Sequence, residues 1–278
     1  MPNEVELVGK IGSMALIRRS DNDIDYNIFS RLGQDLEPGM IWVSSGATEI
    51  GRLDYLRRNG GREIEGVDIE EAKSDYAAQG QAILMENYRR FIAHDYSVRQ
   101  LLVEHTHFND PQKRAYIRKF LLRAVSQQAI PIVNYNDPVS FEENRKMELM
   151  GLRSQQGGEV VECIDNDETA SVIARLVHAK RLLIMTSVEG IYRDPRDPST
   201  LVEKVTGRTP EDVVAAIRLL QERCVGASRA GAGGARAKLE YAIEPVKAGA
   251  TVIIGHARHH IRDLMQGRVP CTRIGINI

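Results

Sequence analysis

The chain of 278 residues has few of the residues that build covalent or metal-held scaffolds. Its three cysteines, Cys163, Cys224 and Cys271, lie far apart with no CxxC pair. That argues against a zinc site and a disulfide framework and fits a reducing compartment. Aromatic residues make up only 5% of the chain, and they are not interleaved with its lysines and arginines, so nucleic-acid binding has no support. A formal net charge of −1 creates no field that would draw in nucleic acid or an anionic membrane. No apolar run approaches the ~20 residues of a membrane span. The opening Met1-Pro2-Asn3-Glu4-Val5-Glu6 lacks the basic-then-apolar pattern of a secretory leader. There is no internal repeat and no low-complexity tract. These absences lead to the expectation of a cytoplasmic globular protein.

What is present is ordinary core-forming composition, 42% hydrophobic and 27% charged, arranged in alternating patterns. Short β-branched runs at Glu6–Lys10, Met40–Ser44, Val98–Val103, Pro131–Asn134, Arg181–Met185, Ala250–Ile254 and Arg273–Ile278 read as strands. Helical patterns lie between them, around Asp25–Leu36, Ile69–His94, Gln112–Gln128, Asp167–Val177, Pro210–Glu222 and Ala235–Lys247. Strand–helix alternation predicts an α/β fold with a mostly parallel open sheet covered by helices on both faces. Ligands of such sheets bind beyond the carboxyl ends of the strands, so chemistry is sought just after each strand. Two segments depart from this order. Glu142–Gly158 is polar and mixed in charge and reads as a long mobile loop or lid. Tyr192–Pro198 carries two prolines and reads as a turn-rich loop.

Several strand ends carry candidate residues. Lys10-Ile11-Gly12-Ser13 could place an ammonium and backbone N–H groups on a phosphate, or hold only a surface lysine. Ser44-Ser45-Gly46-Ala47 leads toward a short helix near Thr48–Arg52 and could cradle an anion, or form a tight turn with a serine cap. Asn134-Tyr135-Asn136-Asp137 could orient a polar substrate or form an Asx turn. Asp165-Asn166-Asp167-Glu168 opens a helix, where one acid is explained as a cap and the rest of the cluster less well. Thr186-Ser187-Val188-Glu189-Gly190-Ile191-Tyr192 could hold a nucleotide's base and ribose. The loop Gly231–Gly234 runs into a helix bearing Lys238, a combination that suits a phosphate without being a Walker loop or a GxGxxG fingerprint. The pairs His105/His107 and His259/His260 lack further ligands at metal spacing and are assigned surface or loop roles; Trp42 is assigned to the core.

These motifs resemble, in sequence and in order, those of the glutamate 5-kinases of the amino acid kinase family. The series runs from Lys10-x-Gly12-Ser13 through Ser44-Ser45-Gly46-Ala47 and Ile130–Asp137 to Asp165-Asn166-Asp167. It continues with Thr186-Ser187-x-x-Gly190-Ile191-Tyr192 and Gly231–Leu239, and Lys73-x-x-x-Ala77-x-x-Gly80-Gln81 is similar too. The resemblance implies a three-layer αβα sandwich spanning residues 1–278 as a single kinase domain. Its N-terminal lobe, to about residue 165, would take the acceptor, and the C-terminal lobe, from about 166, would take ATP with Mg²⁺. By position, Lys10 and Lys238 look like the lysines that stabilise the transferred phosphoryl group, and Asp167 like the acid that organises them. Ser45, Gly46, Asn134, Asp137 and Asn166 match positions for the amino acid substrate. Gly12, Thr186, Ser187, Tyr192, Gly233 and Gly234 match the nucleotide site. The implied reaction is phosphorylation of the side-chain carboxylate of L-glutamate, on the route to proline, by a homo-oligomer.

The sequence also departs from its relatives. Residues 138–164 replace a short Lys-Phe-Gly-containing link, and Ser187 stands where the family has an aspartate after the threonine. A C-terminal PUA domain, carried by many glutamate 5-kinases, is expected to be absent. Two alternatives therefore stay open: a sister kinase with a different small acceptor, and a non-catalytic ligand sensor on the same fold.

Overall fold

The computed structural model describes residues 4–140, 142–156, 160–163, 165–223 and 234–278. The strands are β1 (Leu7–Ile11), β2 (Ile17–Arg18), β3 (Asp23–Ile24), β4 (Met40–Ser44), β5 (Ser97–Val103), β6 (Ala129–Tyr135), β7 (Arg181–Thr186), β8 (Lys204–Gly207), β9 (Thr251–His256) and β10 (Cys271–Ile276). The helices are α1 (Tyr26–Asp35), α2 (Ala47–Arg58), α3 (Ile69–Phe91), α4 (His105–Asn109), α5 (Pro111–Ser126), α6 (Glu142–Gln156), α7 (Asn166–Val177), α8 (Pro210–Arg223), α9 (Ala235–Lys247) and α10 (Ile261–Gln266). One eight-stranded sheet runs β5-β6-β4-β1-β7-β9-β10-β8, and β2 and β3 form a separate hairpin. All neighbours in the large sheet are parallel except β9 and β10, so the expected mostly parallel sheet is what forms.

Side chains alternate across a strand, so each central strand feeds two cores. Val8, Ile41, Val43, Leu182, Ile184, Val252 and Ile254 pack with apolar residues of α5, α7, α8 and α9. Leu7, Ile11, Trp42, Leu183, Met185 and Ile253 pack with residues of α1, α2, α3 and α10. The result is the expected αβα sandwich. Trp42 is fully buried, as assigned, with its indole Nε1–H donating to Tyr88 Oη at 3.0 Å. Lys10 shares the face of Val8, which aims its long side chain at the α7 layer.

On the other face, α2 and α3 approach at glycines. A Cβ added to Gly80 would lie 1.8 Å from the Ala47 carbonyl oxygen, and one on Gly51 would lie 1.8 Å from that of Tyr76. Only hydrogen fits at these points, and the close crossing carries the middle of α3 to the carboxyl end of β6.

One expectation is overturned. Residues 142–156 form helix α6 and not a loop. The Glu-Lys-Met-Leu-Arg-Gln composition that made the segment look like a solvated lid is also strongly helix-forming. Leu149 provides a buried anchor, while Met147 and Met150 stay exposed. Gly157 and Gly158, at the end of the expected loop, lie outside the described residues.

Candidate active site

The site is assembled at the carboxyl ends of β1, β4, β6 and β7. At its centre, the Lys10 Nζ and Lys238 Nζ ammoniums each lie 2.6 Å from a different oxygen of the Asp167 carboxylate. These side chains are 10%, 16% and 2% exposed respectively, so the triad is nearly dry and its charges interact strongly. Burial pushes the Asp167 carboxyl up, but Lys10 and Lys238 outweigh that and hold it below the ordinary carboxylate range. Its ionised form is therefore the resting one, with two cations set on one anion.

Local structure explains how the three groups are held. Lys10 is the fourth residue of central strand β1. Asp167 sits in the first turn of α7, where the helix dipole favours negative charge. Asp165 is the N-cap of that helix, its Oδ1 accepting from the Asp167 and Glu168 backbone N–H groups at 2.8 and 3.0 Å. Burial raises the Asp165 carboxyl, neighbouring Asp167 adds to this, and Lys10 and Lys238 oppose it. Lys238 belongs to the first turns of α9, whose N-cap Gly234 supplies no side-chain bond to the first amides. Helix α2 likewise starts without a side-chain cap, at Gly46 with φ of 106°. A Cβ is disfavoured at that angle, which makes glycine the fitting residue between β4 and α2. By contrast, α1, α3, α5 and α7 are capped by Asp25, Asp68, Asp110 and Asp165. Of the glycines in the motif Gly231–Gly234, Gly231 and Gly233 lie outside the described residues.

Next to the triad runs a chain of uncharged polar groups. Asn166 Nδ2 donates to Ser45 Oγ at 3.0 Å and to Asn134 Oδ1 at 2.9 Å. Asn134 Nδ2 donates in turn to Gln81 Oε1 at 2.9 Å. The structure thus brings Ser45, Asn134 and Asn166, three of the expected acceptor-site residues, into one network beside Asp167. Gln81 was noted in the sequence without a role. Its signal was a polar residue in the buried stripe of α3 that also contains Ala77, Leu84 and Tyr88. Asp137 follows β6 in a short 3-10 turn and is open to solvent, yet surrounding protein pushes its carboxyl up to about 6, with Arg145 of α6 opposing the shift. The Arg145 guanidinium also stands 5.7 Å from the centroid of the Tyr135 ring.

On the other side of the triad, Gly12 donates its N–H to the Met185 carbonyl at 3.2 Å, tying the β1 turn to the end of β7. Thr186 ends β7 and receives the Ala257 N–H at 2.9 Å. Ser187 follows it, and Tyr192 pairs across a bridge with Leu201. Gly12 and Thr186 thus lie at the same carboxyl end of the sheet as Lys10. The expectation for His105 is corrected. It is 1% exposed, with Nδ1 3.0 Å from Tyr135 Oη and Nε2 2.9 Å from Glu148 of α6. Burial lowers its pKa and neighbouring Glu148 opposes the change. It is a buried brace under α6, not a surface histidine.

Among the described residues no group of three or more His, Cys, Asp or Glu side chains is placed to hold a metal ion. Two ammoniums on one carboxylate, near the N-terminus of α9, nevertheless suit a polyphosphate, which would bring its own divalent cation.

Residues 7–256 match the model of the amino acid kinase family. The chain belongs to the amino acid kinase family. A family relative, the glutamate 5-kinase of Xylella fastidiosa, is 31% identical over 242 residues, 84% of this chain and 54% of that protein. The glutamate 5-kinase of Paraburkholderia phymatum is 30% identical over 265 residues, covering 91% of this chain and 62% of that protein. The chain thus spans little more than half the length of such relatives. Among solved structures, carbamate kinase from Giardia lamblia bound to AMP-PNP superposes with a TM-score of 0.62 at 14% identity, over 100% of both chains. UMP kinase from Ureaplasma parvum superposes with a TM-score of 0.54 at 11% identity, over 98% of both. These structural likenesses concern the shared family fold. No helix among the described residues is long and apolar enough to cross a membrane.

Proposed function

We propose that the chain transfers the γ-phosphoryl group of MgATP to the side-chain carboxylate of L-glutamate. The observation that carries this reading is the Lys10–Asp167–Lys238 triad, set between the Ser45–Asn166–Asn134 network and the end of β7. Relatives of about 30% identity that are named glutamate 5-kinases support the choice of acceptor.

In this reading the N-terminal part of the chain, to about residue 165, presents the acceptor and the rest presents the nucleotide. Asp137, Asn134, Asn166, Ser45 and the Gly46 turn hold the amino acid. Gly12, Thr186, Ser187, Tyr192, Gly233 and Gly234 would hold MgATP, whose cation would neutralise phosphate charge. A carboxylate is already ionised at neutral pH, so no general base is needed. One of its oxygens attacks the γ-phosphorus, the bond to the β–γ bridging oxygen breaks, and ADP leaves with that electron pair. Charge grows on the bridging and peripheral oxygens, and the Lys10 and Lys238 ammoniums stabilise it there. Asp167 keeps the two ammoniums adjacent despite their mutual repulsion. The products are an acyl phosphate and ADP.

The test is MgATP-dependent acyl hydroxamate formation with L-glutamate and hydroxylamine, run beside a panel of other acceptors and the Lys238→Ala protein. Glutamate-selective product that disappears in the variant is expected. One observation favours a second reading, a different acceptor: Arg145 of α6 adds a cation beside Asp137. Turnover confined to a more anionic acceptor would replace glutamate with that compound, and no turnover on any acceptor would sink the kinase reading.

A further inference from the structure

The polar chain beside the triad has a fixed direction, and a single backbone group sets it. The Tyr135 N–H, which can only donate, points at the Asn134 side chain at 2.9 Å. The Asn134 atom facing it must be the carbonyl oxygen, because an amide nitrogen there would oppose donor to donor. Asn134 Nδ2 therefore faces Gln81, and Gln81 must present its oxygen in reply, at 2.9 Å. The same Asn134 oxygen also receives Asn166 Nδ2 at 2.9 Å, while the second hydrogen of that nitrogen goes to Ser45 Oγ at 3.0 Å. With its nitrogen fully used, Asn166 turns its own Oδ1 away. That oxygen is buried and without a partner among the described residues, as is Gln81 Nε2 at the far end of the chain.

Burial makes this arrangement consequential. Gln81 is 8% exposed and Asn134 2% exposed, so water does not readily replace a missing partner. An acceptor at the Gln81 position keeps Asn134 in one flip state, and Asn134 in turn keeps Asn166 oriented next to Asp167. Gln81 reaches Asn134 because the glycine crossing of α2 and α3 brings residue 80 against the chain at Ala47. The same crossing fixes the helix that follows Ser45, so both ends of the chain ride on one rigid pair.

We propose that Gln81 is a positioning residue of the acceptor site, holding the Asn166 carboxamide through Asn134 so that its free oxygen meets a hydrogen-bond donor on the acceptor. The proposal rests on the reading of Ser45, Asn134 and Asn166 as the acceptor subsite. The chemical class it selects is an acceptor carrying an N–H donor, an ammonium above all, near the carboxylate that is phosphorylated.

The experiment compares Gln81→Met, which keeps the volume and removes the acceptor oxygen, with Gln81→Glu, which keeps an oxygen for Asn134 in either protonation state. Gln81→Leu stands in if the Met protein does not fold. In the hydroxamate assay Gln81→Met is expected to raise the KM for L-glutamate about tenfold, the size of one net hydrogen bond, with the KM for MgATP unchanged. Gln81→Glu is expected to recover most of that loss. A second readout needs no substrate: the Asn134 and Asn166 carboxamide signals of ¹⁵N-asparagine-labelled protein, assigned by substitution. Gln81→Met is expected to move both and Gln81→Glu to return Asn166 to its place. Unmoved Asn166 signals, or KM values for both substrates rising together without recovery in Gln81→Glu, overturn the proposal. If the wild-type chain makes no hydroxamate from glutamate, the acceptor assignment fails, and the carboxamide signals alone decide whether Gln81 orients Asn166.

Discussion

Replacing Asp167 with asparagine removes one negative charge and almost no volume from the centre of the site. In the native chain that charge lies 2.6 Å from each of two ammoniums. Unit charges about 4 Å apart interact by about 4 kcal/mol at an effective dielectric constant near 20. With the anion gone, two repelling ammoniums are left in a site only slightly exposed, and breaking a buried ion pair from one side costs about 3–5 kcal/mol. At ~2 °C per kcal/mol for a chain of this size, Asp167→Asn is expected to lower Tm by roughly 6–10 °C. Turnover in the hydroxamate assay is expected to fall about a hundredfold or more, because the ammoniums no longer share one fixed position. The pH dependence supplies a further check. The folded-state pKa of Asp167 is depressed, so its contribution is present above the unfolded value near 3.9 and is lost as pH falls through the folded value. The Tm gap between wild type and variant is therefore full at neutral pH and closes only below about pH 4. An unchanged Tm at pH 7, with turnover intact, would refute the reasoning.

Two further expectations concern the acceptor side. Gly80→Ala forces a methyl group to within 1.8 Å of the Ala47 carbonyl oxygen, so α2 and α3 must separate. A loss of about 3 kcal/mol is expected in denaturant unfolding, with a raised KM for the amino acid. The Asp137 carboxyl, raised to about 6, loses its charge as pH falls through that value. The KM for an ammonium-bearing acceptor is expected to rise between pH 7 and 5 while that for MgATP does not, and Asp137→Asn flattens the profile. Because its folded pKa lies above the unfolded one, ionising Asp137 opposes folding, and Asp137→Asn should not lower Tm at pH 7.

Much of the scaffold was legible because its signals are local. Met40–Ser44 is a continuous apolar run and forms β4 with those bounds, and Ala235–Lys247 carries the helical period that becomes α9. Lys204–Gly207 was missed because Lys-Val-Thr-Gly has one buried apolar side chain, Val205; the β10 backbone beside it makes it an edge strand. The short helix at His105–Asn109 depends on a reciprocal bond between Glu104 and His107, a pairing invisible to periodicity. In Glu142–Gln156 polarity was read as looseness, whereas helix propensity and one buried leucine decided the outcome. For the site, the order of motifs drew attention to Lys10, Asp167 and Lys238, but that both ammoniums share one carboxylate is a tertiary fact. The role of Gln81 was hidden for the same reason, since its partner Asn134 is 53 positions away.

The place of β1 has a consequence for the way the chain is made. It precedes β4 and β7 in the chain, and all five of its residues are buried between them. One edge can be covered once Met40–Ser44 has emerged, but the other waits for Arg181–Thr186. Throughout that interval a short apolar segment with an unsatisfied edge is exposed to other nascent chains, the circumstance in which strands mispair. Lys10 belongs to this waiting strand, and Lys238 emerges later still. The Lys10 and Lys238 ammoniums can therefore meet on Asp167 only after α9 has emerged, and a translation product interrupted before β7 would carry β1 with one edge uncovered.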